Sequence, residues 1–197
     1  ISEQYNIPTI STGNIIRAAL KNGTEMGLKA KAYTEAGNLV PDEIVIGIIK
    51  ERLAEDDCQN GYILDGFPRT IPQAEALEVL AKEISRPVQL VINIEADKEE
   101  LIRRISGRRV CPKCGNSYHL LFRLPKVENT CDACGSELIQ RKDDTIESLN
   151  VRFDAYENQT KPLVEFYSGL GLCKTVNGLQ SIDDVFNDIQ KLLDEVK

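Results

Sequence analysis

The sequence of 197 residues lacks any apolar run that approaches the length of a membrane-spanning helix. It also lacks a basic excess: the net charge of −7 argues against nucleic acid or an anionic membrane surface as a partner. Its first residues, ISEQYNIP, have neither the basic nor the apolar region of a signal peptide, so a cytoplasmic location is expected. No internal repeat or low-complexity tract is present. This length suits one α/β domain with inserted subdomains. Because the net charge is negative, any cluster of basic residues needs a local explanation.

The most informative stretch, residues 61–73, reads GYILDGFPRTIPQ. Its apolar Tyr-Ile-Leu segment, bounded by turn residues, is typical of a buried parallel strand. Asp65 follows at the carboxyl end of that strand, where open α/β sheets bind their ligands. Gly66 allows close backbone approach to a ligand, Arg69 offers a planar fork of donors suited to phosphate, and Thr70 can cap the next helix. These residues alone are compatible with a ligand site and with an ordinary buried turn.

Strand and helix signals alternate along the rest of the chain. Strands are predicted over 8–11, 62–65, 87–94 and 172–176. Helices are predicted over 14–21, 25–36, 41–53, 73–83 and 97–106, with Gly37 ending the second and Asp97 capping the last of these. A further helix is predicted to begin at 145 and to be interrupted near Pro162. The terminal helix is predicted to begin at a cap on Ser181 and to end at 196. This alternation implies a parallel, doubly wound sheet. Two insertions interrupt it, a helical one over 11–40 and a cysteine-rich one over 107–144, and leave a core of 1–10, 41–106 and 145–197.

Four of the six cysteines form two C-x-x-C-G turns. They are Cys111, Cys114, Cys131 and Cys134. Each turn can present two thiolates to one tetrahedral zinc ion, and four protein ligands would make that zinc structural because no coordination position stays open. Two disulfides are the alternative, which a cytosolic compartment disfavours. His119 is expected to be a surface or supporting residue, and Cys58 and Cys173 are expected to be plain core or near-surface thiols.

Basic residues fall at the edges of this cysteine module and do not form a spread patch with interleaved aromatics. They are Arg104, Arg108 and Arg109 before it, Arg141 and Lys142 after it, and Arg152 in the next helix. A zinc ribbon alone would favour a nucleic-acid-binding module. Arginines at both edges of an insertion instead favour a lid that closes over one phosphate-rich ligand.

In these features the chain resembles the adenylate kinase family, in its long bacterial form with a zinc-binding lid. The resemblance covers essentially the whole chain and rests on Ser11-Thr12-Gly13 with Arg17, LDGFPRT at 64–70, Gln73, GRRVCPKC at 107–114, and QRKDD at 140–144. It implies a P-loop nucleoside monophosphate kinase-like fold in which 11–40 is the AMP-binding domain and 107–144 the lid. It further implies reversible phosphoryl transfer between ATP and AMP to give two ADP, with lid closure over the nucleotides. A structural zinc ion, magnesium bound with ATP, and a monomer without nucleic-acid or membrane partners are expected.

The resemblance also assigns roles to single residues. The AMP-binding positions would be Thr12, Gly13, Arg17, Asn38, Leu39, Val40, Gly66, Phe67, Arg69 and Gln73. The ATP-binding positions would be Arg104, Arg108, Ser117, Tyr118, Gly178 and Leu179. The catalytic positions would be Asp65, Arg69, Arg108, Arg141, Arg152, Asp143 and Asp144. Within these sets Gln73 would read the adenine edge, Asp65 would act on magnesium through water, and Arg104 would stack on the ATP adenine.

The chain departs from the family pattern because no G-x-x-x-x-G-K-[ST] segment occurs in it. Related kinases carry that phosphate loop on a first strand, between the strands that correspond to 62–65 and 88–94. We therefore expect the chain to be incomplete at its N-terminus and inactive by itself, and those two strands not to pair. A kinase for UMP, CMP or GMP is an alternative function, although Gln73 and Thr12 favour AMP. A zinc-ribbon nucleic-acid-binding module is the other alternative.

Overall fold

The protein is described by a computed structural model over residues 1–36 and 38–196, so the predicted helix end at Gly37 lies outside the described residues. The strands are β1 (Thr9–Ser11), β2 (Ile63–Asp65), β3 (Val91–Glu95), β4 (Arg108–Val110), β5 (Ser117–His119) and β6 (Cys173–Asn177). The helices are α1 (Ser2–Tyr5), α2 (Thr12–Lys21), α3 (Glu25–Glu35), α4 (Asp42–Leu53), α5 (Ile71–Glu83), α6 (Lys98–Ser106), α7 (Ile146–Ala155), α8 (Pro162–Gly169) and α9 (Ile182–Asp194). Within these ranges no helix is both long and apolar enough to cross a membrane.

The central strands form two parallel pairs. β1 pairs with β2, with Ser11 opposite Asp65, and β3 pairs with β6, with Val91 opposite Cys173. No pairing joins β2 to β3 among the described residues, as predicted. The continuous sheet expected from the alternation is therefore present as two parallel halves, and β4 and β5 form a separate antiparallel pair in the cysteine module.

The helix ends follow the local signals in the sequence. Thr70, Asp97 and Ser181 each accept a hydrogen bond from the backbone N–H three residues later, so the three predicted caps are confirmed. The predicted interruption near Pro162 is a π turn over Tyr156–Thr160 between α7 and α8. Proline explains it, because its ring crowds the carbonyl four residues earlier and it has no N–H to donate.

The main core lies between the first strand pair and the helices around it. Ile10 of β1, Ile16 of α2, Leu77 of α5 and two α4 residues, Ile49 and Leu53, are buried together. Truncating one of these large side chains to alanine would cost about 2–5 kcal/mol of stability. This packing fixes the carboxyl ends of β1 and β2 beside the starts of α2 and α5, where the candidate site lies.

Candidate active site

A cavity of about 640 Å³ opens where β1 and β2 end and α2 and α5 begin. Its cationic lining consists of Arg17, Arg69, Arg108, Arg141, Lys142 and Arg152. These residues come from α2, from the turn before α5, from both edges of the cysteine module and from α7. The five arginines that the resemblance assigns to AMP binding or to catalysis therefore lie in one cleft. Convergence of this kind suits a compact polyanion, whereas an extended nucleic acid would require a spread basic surface.

The arginines are close enough to perturb one another. Partial burial lowers the pKa of Arg17, and the positive charge of Arg141 lowers it further. Burial also lowers the pKa of Arg69, with a second contribution from the charge of Arg152. For Arg141 the causes are burial and then the charge of Arg108. Since desolvation and like charges both disfavour cations, a bound anion would relieve a penalty that the folded chain carries.

Gly66 shapes the part of the cavity next to β2. Its backbone has a φ of 74°, and an added Cβ would lie 2.8 Å from Nη2 of Arg69. The carbonyl oxygen of Gly66 accepts hydrogen bonds from Nε of Arg69 at 2.9 Å and from the buried Thr12 hydroxyl at 3.0 Å. Arg69 is thus held by its Nε, and its terminal nitrogens remain available to a phosphate. Glycine is required here by the positive φ and by this close approach.

Gln73 lies at the cavity wall with only 2% of its surface exposed. Its Oε1 accepts a hydrogen bond from the backbone N–H of Arg69 at 2.7 Å, and its Nε2 donates to Oδ1 of Asp42 at 2.7 Å. The other oxygen of Asp42 accepts from the Thr70 hydroxyl at 3.0 Å. Sequence reasoning missed Asp42, because an acid in the first turn of a helix is already explained by the helix dipole.

Asp143 and Asp144 organise the base of the cysteine module. Asp144 is completely buried and forms a two-point ion pair with Arg108, in which the Nε–Oδ2 distance is 2.9 Å. Nη1 of Arg152 donates to the carbonyl oxygen of Asp143 at 3.3 Å and lies 3.9 Å from each of the two carboxylates. Asp143 lines the cavity, whereas Asp144 lies behind Arg108. Asp144 is therefore placed to orient an arginine and not to face a ligand.

The predicted sites are only partly brought together. Of the AMP set, all members except Phe67 line the cavity, since the Phe67 side chain is buried in the core. Of the ATP set, Arg108 alone lines it. Arg104 instead donates to the carbonyl oxygen of Gly178 at 2.7 Å and to Glu100 at 2.6 Å. Three of the predicted ATP-binding residues are therefore at a second location, at the end of β6: Arg104, Gly178 and the adjacent Leu179.

Ser117 and Tyr118 lie in β5 of the cysteine module and are not among the residues that line the cavity. Tyr118 is 6% exposed, its hydroxyl contacts Sγ of Cys131 at 3.6 Å, and it accepts from the N–H of Asp132 at 2.8 Å. The Tyr118 hydroxyl is thus engaged within the cysteine module, and the assignment of Tyr118 to the ATP-binding positions stays a prediction. The sequence does not reveal that Tyr118 packs on the cysteines, because that contact joins two different turns of the module.

The cysteine module brings four thiols to one point, as predicted. The sulfur atoms of Cys111, Cys114, Cys131 and Cys134 all lie within 4.8 Å of one another. All are free, with sulfur separations such as 3.4 Å between Cys111 and Cys134 and 3.5 Å between Cys114 and Cys131. Burial by itself would raise the pKa of Cys131, but hydrogen bonds from Tyr118 and from backbone N–H groups lower it to about 6. Four thiols at this spacing fit tetrahedral zinc, whose Zn–S bonds of about 2.3 Å place sulfurs about 3.8 Å apart.

His119 supports this module from outside the sulfur cluster. Its Nδ1 accepts hydrogen bonds from the N–H groups of Leu121 and Phe122 at 3.0 and 3.3 Å, and its ring stacks on Phe122. The ring also lies against Gly107, where an added Cβ would come within 2.4 Å of Nε2. The supporting role expected of His119 agrees with these contacts.

Comparisons with known proteins identify the same family as the motifs. A family model described as "Adenylate kinase" matches residues 1–172. The adenylate kinase of Bacillus subtilis is 52% identical over 197 residues, which are 100% of this chain and 91% of that protein. Those of Carboxydothermus hydrogenoformans and Methanosarcina acetivorans are 53% and 52% identical, covering 98% and 96% of this chain and 90% and 87% of their own lengths. The chain therefore belongs to the adenylate kinase family.

Proposed function

We propose that the protein transfers a phosphoryl group reversibly between magnesium-bound ATP and AMP, giving two molecules of ADP. The observation that carries this proposal is the convergence of five arginines and the amide of Gln73 on one cavity at the strand ends. A volume of about 640 Å³ lies in the range of small-molecule sites, roughly 300–1,000 Å³. Phosphate groups and one base can share it.

AMP is the proposed occupant of the side of the cavity formed by α2 and the turn before α5. Arg17 and Arg69 would bind its phosphate, because both guanidinium groups line the cavity and each is already fixed at one nitrogen, by Asn14 and by Gly66. Gln73 would contact the adenine edge. Thr12, Gly13 and residues 38–40 complete the lining.

Arg108, Arg141 and Arg152 are proposed to act on the phosphoryl group in transit. Phosphoryl transfer needs little covalent help from a protein, so the catalyst mainly aligns the reacting oxygens and neutralises their charge. Asp143 and Asp144 would keep these arginines oriented. Asp65, which is exposed at the cavity wall, would hold water on the magnesium ion, and that ion would supply charge neutralisation at the phosphates.

The remaining assignments concern the module and its surroundings. We propose that the four cysteines hold one structural zinc ion, which leaves no open coordination position, and that residues 107–144 act as the lid and 11–40 as the AMP-binding domain. Arg104 with Gly178 and Leu179 would contact the ATP adenine, and Ser117 with Tyr118 would contact ATP through the backbone. We further propose a cytoplasmic monomer that binds neither nucleic acid nor membranes.

Equilibrium binding is the direct test of the acceptor site, because it does not depend on turnover. The zinc-loaded chain would be titrated with AMP, UMP, CMP and GMP by calorimetry, and AMP should bind most tightly. Arg69→Ala should abolish that binding, whereas Arg109→Ala, which changes an arginine outside the 640 Å³ cavity, should not. Equal affinity for the four nucleotides would refute the assignment of AMP.

Turnover would be tested separately. The 197 residues include no G-x-x-x-x-G-K-[ST] segment, and in P-loop kinases that segment cradles the phosphates of the nucleotide. We expect ADP formation from ATP and AMP when a segment carrying such a loop is joined to the chain, and not from these residues alone. A panel of monophosphate acceptors assayed with the joined chain should again favour AMP.

A further inference from the structure

We propose that Asp42 is a positioning residue that sets base selectivity by fixing which end of the Gln73 amide carries the oxygen. This inference rests on the proposed function, in which Gln73 contacts the base of the nucleoside monophosphate. Asp42 is at the start of α4 and Gln73 is in the first turn of α5, so the contact joins two elements that both border the cavity. Asp42 itself is not among the residues that line it.

The Gln73 amide lies between one obligatory donor and one obligatory acceptor. The backbone N–H of Arg69, which can only donate, faces Oε1 at 2.7 Å. The Asp42 carboxylate, which when ionised can only accept, faces Nε2 at 2.7 Å. Turning the amide by 180° would place oxygen against carboxylate and N–H against N–H. At a residue with 2% exposure both contacts would then be unsatisfied, so one orientation is strongly preferred.

Asp42 is itself held in place. Its second oxygen accepts from the Thr70 hydroxyl at 3.0 Å, and the same hydroxyl oxygen accepts from the backbone N–H of Gln73 at 3.3 Å. The carboxylate is therefore anchored to the same turn as the amide that it orients. The contact therefore does more than satisfy one polar group. Because Thr70 caps α5 and also bonds Asp42, the cap fixes where Oε1 and Nε2 of Gln73 lie.

A fixed amide distinguishes bases whose edges have opposite polarity. With one N–H donated to Asp42 and one lone pair used by Arg69, the amide retains one donor and one acceptor. Adenine can satisfy both, since its N1 accepts and its amino group donates. Hypoxanthine and guanine have a donor at N1 and an acceptor at O6, so they would match only the reversed amide. Without Asp42, reversal would leave one unsatisfied contact instead of two and would cost less.

AMP and IMP are suitable probes because they share ribose and phosphate and differ in this edge. Dissociation constants of both would be measured calorimetrically on the full zinc-loaded chain and on Asp42→Ala and Asp42→Asn. We expect the wild-type preference for AMP to fall by about tenfold or more in Asp42→Ala, the effect of removing one such contact. Asp42→Asn, which keeps the side-chain volume and can either donate or accept, should also lose selectivity. It provides the test if the alanine variant does not fold.

Two further variants separate the possible outcomes. Glu43→Gln removes the neighbouring acid of the same helix turn and should leave the AMP-to-IMP ratio unchanged, which controls for the helix-end charge. Gln73→Ala should abolish the preference for AMP over IMP. If it does so while both Asp42 variants keep the wild-type ratio, the inference about Asp42 is wrong and the function of Gln73 stands. If Gln73→Ala keeps the ratio, or the wild-type chain does not prefer AMP, the proposed role of Gln73 is wrong. Equal weakening of AMP and IMP in the Asp42 variants would indicate a merely structural contact and would also overturn the inference.

Discussion

Replacing Gly66 with alanine would separate the shape of the candidate site from the stability of the fold. The φ of 74° costs a non-glycine residue about 1–2 kcal/mol. The new Cβ would also lie 2.8 Å from Nη2 of Arg69, so this guanidinium must shift, and at 3.5 Å from the Thr12 hydroxyl it would meet only an ordinary contact. Because the atom in the way is the end of a flexible side chain, the fold can adapt. The position of the Arg69 guanidinium, which would bind phosphate, cannot be kept, because Nε of the same arginine donates to the Gly66 carbonyl.

We therefore expect Gly66→Ala to lose about 1–2 kcal/mol of stability and one charge-assisted contact to AMP. A contact of that kind contributes about 1.5–3 kcal/mol to binding, so its loss should raise the dissociation constant for AMP by roughly 10- to 150-fold. Thermal unfolding and AMP calorimetry on the same samples would measure the two effects.

Gly47→Ala is the matched control for this substitution. Gly47 lies in α4, is exposed, and an added Cβ would meet nothing within 4 Å. Alanine should therefore stabilise the helix by about 0.5–1 kcal/mol without changing AMP affinity. Wild-type AMP binding by Gly66→Ala would refute the argument, and so would equal stability changes in the two variants.

Three further predictions concern other parts of the molecule. Cys131→Ser, or zinc chelation, should unfold the cysteine module while most of the core stays folded, so two separate transitions should appear in calorimetry; one shared transition would contradict this. Arg69→Ala should lose AMP binding with little change in melting temperature, because in the described part of the chain its guanidinium donates to one backbone carbonyl and to no carboxylate; a large drop in melting temperature with intact binding would reverse the assignment. Hydrogen bonds from Arg103 and Arg104 lower the pKa of Glu100 from 4.5 to about 2, so its contribution to stability is present above pH 4.5 and is lost as the pH falls toward 2. In Glu100→Gln the midpoint of urea unfolding should therefore depend less on pH between 4.5 and 2. An unchanged pH dependence in that range would show that the ion pairs of Glu100 with Arg103 and Arg104 are not its cause.

The features that sequence could predict are those set by neighbours along the chain. The cap at Thr70 needs only a hydroxyl three residues before a helix N–H, and the four cysteines need only two C-x-x-C-G turns, so both were predictable. The Asp42–Gln73 contact spans 31 residues and depends on how α4 packs against α5. The contact between the Tyr118 hydroxyl and Cys131 is not predictable from the sequence for the same reason, since the two residues lie 13 positions apart in different turns of the cysteine module.

The five arginines differ in what holds them in the folded chain, and this difference bears on how an anion would bind. Arg17 is bonded to Asn14, Arg69 to the Gly66 carbonyl and Arg152 to the Asp143 carbonyl, and Arg108 is paired with the buried Asp144. Within residues 1–36 and 38–196, the guanidinium of Arg141 has no hydrogen bond or ion pair of this kind, although burial and the charge of Arg108 lower its pKa. A phosphate would add one contact at each of the four held arginines, but at Arg141 it would supply the first partner. Arg141 is thus the residue whose position should change most between the empty and the occupied cavity.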